Sequence, residues 1–323
     1  MTRVAASLAA VLALALGACG GDGAEPGASR EATVVLDFQP NAVHAGIYAA
    51  LAAGEYERRG VELTIREPSA STDAPKLLAA GRAELAILDI HDLGLARERG
   101  VDVVGVAAIV QRPLAAVIAA DRDAVRTPAD LEGGTAGVTG LPSDDAVLDS
   151  VLEAAGVDPG SVDRVTIGFD SVTALSAGRL DAATAFWNAE GVTLRRLGIS
   201  TRVFRVDDYG APPYPELVLA TSAETLAADS ELIDDVVEAT GRGYLSAIDE
   251  PTAAIEVMVE QVDGLETAEQ RAQLDALLGA GALSGDLGLE RQALRRWARW
   301  DVAHGILAEP PEIGDSFALG LEG

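Results

Sequence analysis

Residues 34–63 read VVLDFQPNAVHAGIYAALAAGEYERRGVEL, a complete strand–loop–helix–strand unit. Val34, Val35 and Leu36 form a short apolar run suited to a strand covered on both faces. Asp37-Phe38-Gln39-Pro40 breaks the run, because proline cannot donate to a sheet ladder. Asn41 is the N-cap of a helix that runs through Ala49 and Leu51 toward Arg59, with Gly60 as its stop; residues 61–65 begin the next strand. His44 and Tyr48 are four residues apart and share one face of the first two helical turns. That face lies at the C-terminal end of the first strand, where open α/β sheets bind ligands. Taken alone, His44 reads as a helix-start residue and Tyr48 as a core residue.

The surrounding chain repeats the pattern. From Glu31 onward, short apolar runs alternate with helical stretches, as in α/β layers. Strands are expected at residues 84–88, 101–110, 114–120, 135–138, 165–169 and 217–220, with a helix at 71–82 capped by Thr72. After Ser222 the apolar spacing is helical almost throughout, and Trp297, Trp300 and His304 read as packing or helix-end residues. The chain has 323 residues, 49% of them hydrophobic and 23% charged, the balance of a soluble globular protein with one large or two ordinary domains. Its net charge of −27 excludes nucleic acid as a partner, since the phosphate backbone would repel it.

The opening stretch resembles the thiamine-pyrimidine binding family of solute-binding proteins, which includes the fungal pyrimidine synthases. Members show a hydrophobic strand, an Asp or Asn plus an aromatic, then P-N-x-x-H-x-x-x-Y/F and a G-Y/F-x-x-x-G-L/V run. The matching residues are Asp37-Phe38, Pro40-Asn41, His44, Tyr48, Gly54-Glu55-Tyr56 and Gly60-Val61. The resemblance implies a type II periplasmic-binding-protein-like α/β fold with a ligand cleft between two lobes. It also turns the reading of His44 and Tyr48 toward ligand contact. The implied division is residues 31–115 for the first part of lobe 1, 116–218 for lobe 2, and 219–323 for a helical return to lobe 1.

Residues 1–19 read as a targeting segment. Arg3 gives a minimal positive region, residues 5–16 an apolar stretch too short to span a bilayer, and Leu16-Gly17-Ala18-Cys19 resembles the bacterial lipobox. Cys19 is the single cysteine, so it has no intramolecular disulfide partner. As a lipidated N-terminus it would anchor the body to the outer face of the cytoplasmic membrane, with residues 20–30 as a flexible tether.

Three further stretches carry candidate chemistry. Asp89, His91 and Asp92 follow a strand end and are expected at the cleft; no other side chain is placed by sequence to complete a metal site with them. Thr139-Gly140-Leu141-Pro142-Ser143 is a strand-to-helix turn that offers N–H groups to a polar ligand. It lacks the G-K-[ST] of a phosphate loop, and Asp144 and Asp145 would repel a phosphate. In Phe186-Trp187-Asn188-Ala189-Glu190, Trp187 offers a stacking surface, Asn188 a donor and an acceptor, and Glu190 two acceptor oxygens, a set matching an aminopyrimidine's face and edge. Equally, Trp187 could pack in the core while Asn188 and Glu190 cap the following helix. Pro212, Pro213 and Pro215 stiffen a loop that places Tyr214 and Glu216 at the crossing between lobes.

These readings converge on the substrate-binding lipoprotein of an ABC importer. It would be a monomer without cofactor or metal, delivering a small aromatic heterocycle to a separate permease and ATPase. A thiamine-type aminopyrimidine precursor leads, fixed by Asp37, Phe38, His44, Tyr48, Asp89, Thr139, Trp187, Asn188, Glu190, Tyr214 and Glu216. Riboflavin is the main rival, because relatives in the resembled family carry flavins. Nitrate and sulfonates rank lower, since an anion site should show Arg or Lys in these loops. A pyrimidine-making enzyme is disfavoured: the family's cofactor lysine would fall near Leu88, the only lysine is Lys76, and the family's Cys-rich loop is here Ala-Pro-Pro-Tyr-Pro. Sensing, or a purely structural lipoprotein, is the remaining alternative.

Overall fold

The computed structural model describes residues 29–69, 73–120, 125–168 and 170–320. The leader with Cys19, the tether up to residue 28, the Thr72 cap and the expected strand end at Phe169 lie outside them. Strands β1 (Arg30–Val35), β2 (Val61–Arg66), β3 (Leu85–Asp89), β4 (Val103–Val110), β5 (Ala115–Ala120), β6 (Thr135–Val138), β7 (Asp163–Thr166), β8 (Ala182–Phe186), β9 (Thr201–Arg205) and β10 (Leu217–Ser222) build two five-stranded sheets. The first has the order β2-β1-β3-β10-β4 and the second β7-β6-β8-β5-β9. Arg30, assigned by sequence to the tether, already pairs with Val61 in β1.

In each sheet the strand that follows a crossing runs antiparallel to its neighbours. The chain leaves the first sheet after Val110 and enters the second as β5, antiparallel to β8 and β9. It returns after the proline loop as β10, antiparallel to β3 and β4. β4 and β5 are buried along their whole length. Their unbroken apolar sequences follow from this, since both faces of each strand are covered, although β4 lies at the edge of its sheet. The two crossings, residues 111–114 and 211–216, therefore run side by side between the lobes.

The helix expected to continue from Asn41 to Arg59 is broken into pieces. A single 3-10 turn, Ala42–His44, leads into the helix Ala45–Ala52, and a second 3-10 turn spans Glu57–Arg59. Gly54 ends the helix early because it adopts φ 69°, a left-handed conformation that favours glycine at a helix C-terminus. The helix Ser230–Asp249 then packs on Ala45–Ala52 at very short range. A Cβ at Gly243 would stand 2.0 Å from the Gly46 carbonyl oxygen, so only glycine fits. The buried Tyr244 beside it donates its hydroxyl to the Val43 carbonyl at 2.7 Å. The C-terminal helices thus clamp the loop that carries Asp37 and His44. On the opposite face of the first sheet, the helix Arg291–Ala303 buries Trp297 and Trp300.

No helix among the described residues is long and apolar enough to cross a membrane.

Candidate functional site

A cleft between the sheets receives the ends of β1, β3 and β8 and the turns after them. Its empty volume, open mouth included, is about 1010 Å³. Five carboxylates line it, from Asp37, Asp89, Asp92, Asp144 and Glu190, and no Lys or Arg is among its described lining residues. Phe38 and Phe186 give it aromatic surface, while Thr139, Ser143, Ser171, Thr184 and Asn188 add polar groups.

On the first lobe, the loop after β1 is fixed by its own side chains. Asn41 Oδ1 accepts the Val43 N–H at 3.0 Å, and the Asn41 N–H donates to His44 Nδ1 at 3.1 Å. A backbone N–H is always a donor, so Nδ1 is the acceptor and Nε2 carries the proton. That Nε2–H donates to Asp37 Oδ1 at 2.8 Å and aims the carboxylate at the cleft. His44 is itself fully buried, so it orients Asp37 from behind.

Asp89 caps the helix Ile90–Glu98 by accepting the His91 N–H at 2.8 Å. Burial raises the Asp89 carboxyl well above its usual range; His91 opposes this, and Glu216 and Asp92 add to it. Burial likewise pushes Asp92 up to about 6, against the field of His91. On the second lobe Asp144 accepts from the Thr139 N–H at 3.0 Å and from its hydroxyl, and burial raises its pKa. Glu190 accepts the Phe186 N–H at 3.1 Å and is also raised by burial.

Asn188 stands apart. It is 0% exposed, borders the cleft, and neither its amide nitrogen nor its amide oxygen meets a partner among the described residues. A buried amide left unpaired costs about 1–3 kcal/mol per group. The wall therefore presents a donor and an acceptor side by side, both unused by the described residues.

Of the eleven residues singled out by sequence, six line the cleft: Asp37, Phe38, Asp89, Thr139, Asn188 and Glu190. The other five are placed behind it. Besides His44, Tyr48 lies under the C-terminal helices, where the Gln261 amide donates to its carbonyl at 3.4 Å. Trp187 is 2% exposed, donates Nε1–H to the Pro113 carbonyl at 3.0 Å and carries Arg205 over its ring at 3.9 Å. Its neighbour Phe186 lines the cleft instead. β8 ends at Phe186, and in the turn that follows Trp187 is directed at the first crossing while Asn188, Ala189 and Glu190 border the cleft.

Tyr214 and Glu216 belong to the crossings. Glu216 accepts the Leu114 N–H at 2.5 Å and the Ala115 N–H at 3.3 Å. Burial pushes it up to about 7 against those two hydrogen bonds. Tyr214 meets His91 Nε2 at 3.2 Å, and His91 Nδ1 lies 2.9 Å from both oxygens of the buried Asp301. Burial alone would lower the His91 pKa, yet Asp301 and Asp89 together raise it to about 9. The Trp297 N–H also points at Nδ1 from 3.1 Å, which would suit a neutral ring. The flanking carboxylates decide for the imidazolium, donating to Asp301 and Tyr214.

Asp92 lines the cleft as its place after a strand end led one to expect, whereas Ser143, Asp144, Ser171, Thr184 and Phe186 line it without having been singled out as ligand contacts. Phe186 was detectable as the last residue of a strand that ends at the cleft.

Comparison with known proteins agrees with this architecture. Residues 41–254 match the family described as "NMT1/THI5 like". The formylaminopyrimidine-binding protein of Halalkalibacterium halodurans is 30% identical over 292 residues, 88% of each chain. The riboflavin-binding protein RibY of Chloroflexus aurantiacus is 24% identical over 305 residues, 89% of this chain and 85% of its own. Among solved structures, the alkanesulfonate-binding protein SsuA of Xanthomonas axonopodis pv. citri superposes with a TM-score of 0.71 at 17% identity, covering 89% of this chain and 98% of its own. The fold is that of the periplasmic binding proteins, and both of the sequence relatives named above are solute-binding proteins.

Proposed function

We propose that this chain, which belongs to the NMT1/THI5-like family, captures a small amine-bearing aromatic heterocycle for an ABC importer. A formylaminopyrimidine-type thiamine precursor fits the site best. The observation that carries the reading is Asn188, buried at the cleft wall with its amide donor and acceptor both unpaired. An aminopyrimidine edge presents an amino donor beside a ring-nitrogen acceptor, the complement of that amide. The five carboxylates then receive the remaining N–H groups or a positive charge, and Phe38 and Phe186 supply surface for the ring.

The same inventory weighs against anions. Nitrate or a sulfonate would enter a cavity lined by five acids and no Lys or Arg, although the fold is shared with a sulfonate-binding protein. Riboflavin offers an imide edge to Asn188 but no amine to set against the carboxylates.

Capture proceeds by approach of the lobes about the two crossings. In this reading Trp187, Tyr214 and Glu216 act at the hinge, and His44 and Tyr48 support the first lobe. Delivery is to a permease and ATPase on separate chains, with Cys19 lipidated and the body, residues 31–323, held at the outer face of the cytoplasmic membrane. Cys19→Ser should move the protein to the soluble fraction; retention with membranes would refute the anchor.

A thermal-shift panel of the body with formylaminopyrimidine, hydroxymethyl-aminopyrimidine, riboflavin, taurine and nitrate tests the cargo, because a ligand that binds only the folded state raises the Tm. The expected result is a shift with the pyrimidines alone. A shift with riboflavin or an anion alone would replace the cargo.

A further inference from the structure

Glu216 ends the second crossing and is 1% exposed. Its Oε2 takes both N–H groups of the first crossing's end, from Leu114 and Ala115. Its own N–H donates to the Val110 carbonyl at 3.0 Å, and its carbonyl accepts the Ile90 N–H at 2.9 Å. One residue thus ties both crossings to the end of β3. Its Oε1, by contrast, is buried and meets no donor among the described residues. Beside it lies Asp89: single side-chain atoms of Asp89, His91 and Glu216 fall within 4.8 Å of one another. Asp89 already uses Oδ1 for the His91 N–H, and it also lines the cleft.

Two adjacent buried carboxylates are relieved either by a metal ion or by a proton. A metal would need a free nitrogen on His91, but Nδ1 is engaged by Asp301 and Nε2 by Tyr214. A proton needs no further ligand. An O–H between the two carboxyls gives Oε1 its missing donor and removes one of two like charges.

We infer that Asp89 and Glu216 share one proton in the ligand-free cleft, and that an amine arriving at Asp89 expels it, so that uptake is proton-linked at the hinge. The inference rests on the amine-binding reading and deepens it. The proton leaves to solvent as the ligand's N–H groups or positive charge take its place, and both carboxylates end ionised. The shift of Glu216 to about 7 and the raised Asp89 agree with a proton held near neutrality. His91, Asp92, Asp144, Tyr214 and Asp301 also face the pair. Asp92 titrates near 6, so the test must separate it from Glu216.

Glu216→Gln does so. Its amide oxygen keeps the Leu114 hydrogen bond, and its NH2 donates permanently to Asp89. Formylaminopyrimidine is titrated calorimetrically at pH 6 in two buffers of unequal ionisation enthalpy. Wild type should release about one proton more per ligand than Glu216→Gln, and Asp92→Asn about one more than the Asp92→Asn/Glu216→Gln double variant. Wild-type affinity should rise by up to about tenfold per pH unit from pH 5.5 toward 7, more steeply than that of the variant. Equal proton counts and slopes in wild type and Glu216→Gln would overturn the inference.

A ligand-free arm keeps it separate from the cargo. Infrared spectra at pH 7 should show a protonated-carboxyl C=O band in wild type that is diminished in Glu216→Gln. Should the pyrimidine fail to bind while the band behaves so, the cargo falls and the shared proton stands. A band unchanged by the substitution overturns the shared proton. Asp89→Asn, which donates to Glu216 instead, gives the same readout should the first variant not fold.

Discussion

The acidic residues of this chain fall into two populations that share a chemistry and differ in surroundings. On the surface, carboxylates meet arginines: Glu238 with Arg59, Asp235 with Arg30, and Asp145 and Asp149 with Arg164. The Arg59 hydrogen bond lowers the Glu238 pKa. In the cleft, Asp89, Asp92, Asp144 and Glu190 are all raised, first by burial. Surface acids are satisfied in the folded protein, and the cleft acids are held against their solvation preference. A cavity that concentrates such groups, with no Lys or Arg among its described lining residues, supports the proposal of a ligand that brings N–H donors or a positive charge.

Removing single cleft acids should sharpen this contrast most. Asp89→Asn or Glu190→Gln should weaken formylaminopyrimidine binding by about 10- to 100-fold, the worth of a charge-assisted hydrogen bond of roughly 1.5–3 kcal/mol. Tm should hold or rise, because a strained carboxylate becomes neutral. Unchanged affinity by titration calorimetry would remove that residue from the site.

The pH dependence of stability comes next. Glu216 at about 7 and Asp92 at about 6 are raised in the folded state, so the fold binds more protons than the unfolded chain. Their contribution is therefore most favourable below about pH 4 and is lost as pH rises through the folded values. His91, raised to about 9, contributes stability that is full below about pH 6.5 and lost as pH climbs past 9. Both trends point the same way. Calorimetric Tm should fall between pH 6 and pH 9, and a flat or rising Tm would contradict the raised values.

His44→Ala should cost about tenfold in affinity, since it frees Asp37 to rotate and leaves the Asn41 N–H without its acceptor. The smallest effect belongs to the surface. Arg164→Ala breaks ion pairs with Asp145 and Asp149 but should cost about 1 kcal/mol or less by denaturant unfolding. A larger loss would blur the distinction between the two populations.

How much was legible in the sequence follows the same division. The strands β4 and β5 were readable because both are buried throughout and so are written as unbroken apolar runs. Asp37, Phe38, Asp89, Asn188 and Glu190 were readable as cleft-lining positions because they sit where a strand ends and a turn begins. What the sequence hid was direction and depth. Phe186 and Trp187 are adjacent, and the larger ring drew the assignment although the turn after β8 directs it at the Pro113 carbonyl in the first crossing. Glu216 and Tyr214 looked like loop residues beside prolines, and their burial depends on Leu114, Ala115 and His91, far away in the chain. Asp144 was read as a charge that would repel a phosphate, and its place among the cleft carboxylates follows from the packing of the two lobes.

The central claim is that the unpaired Asn188 amide, set among the cleft acids, is the recognition element for an amine-bearing heterocycle. Titration of formylaminopyrimidine into wild type and Asn188→Leu, with Tm measured on both, tests it most directly. The account predicts one-to-one binding to wild type and a loss of about 100-fold in the variant, two hydrogen bonds' worth, with Tm unchanged or higher because a buried orphan amide has been replaced by an apolar side chain. Equal binding by the two proteins, or a loss of binding matched by a collapse in Tm, would contradict it.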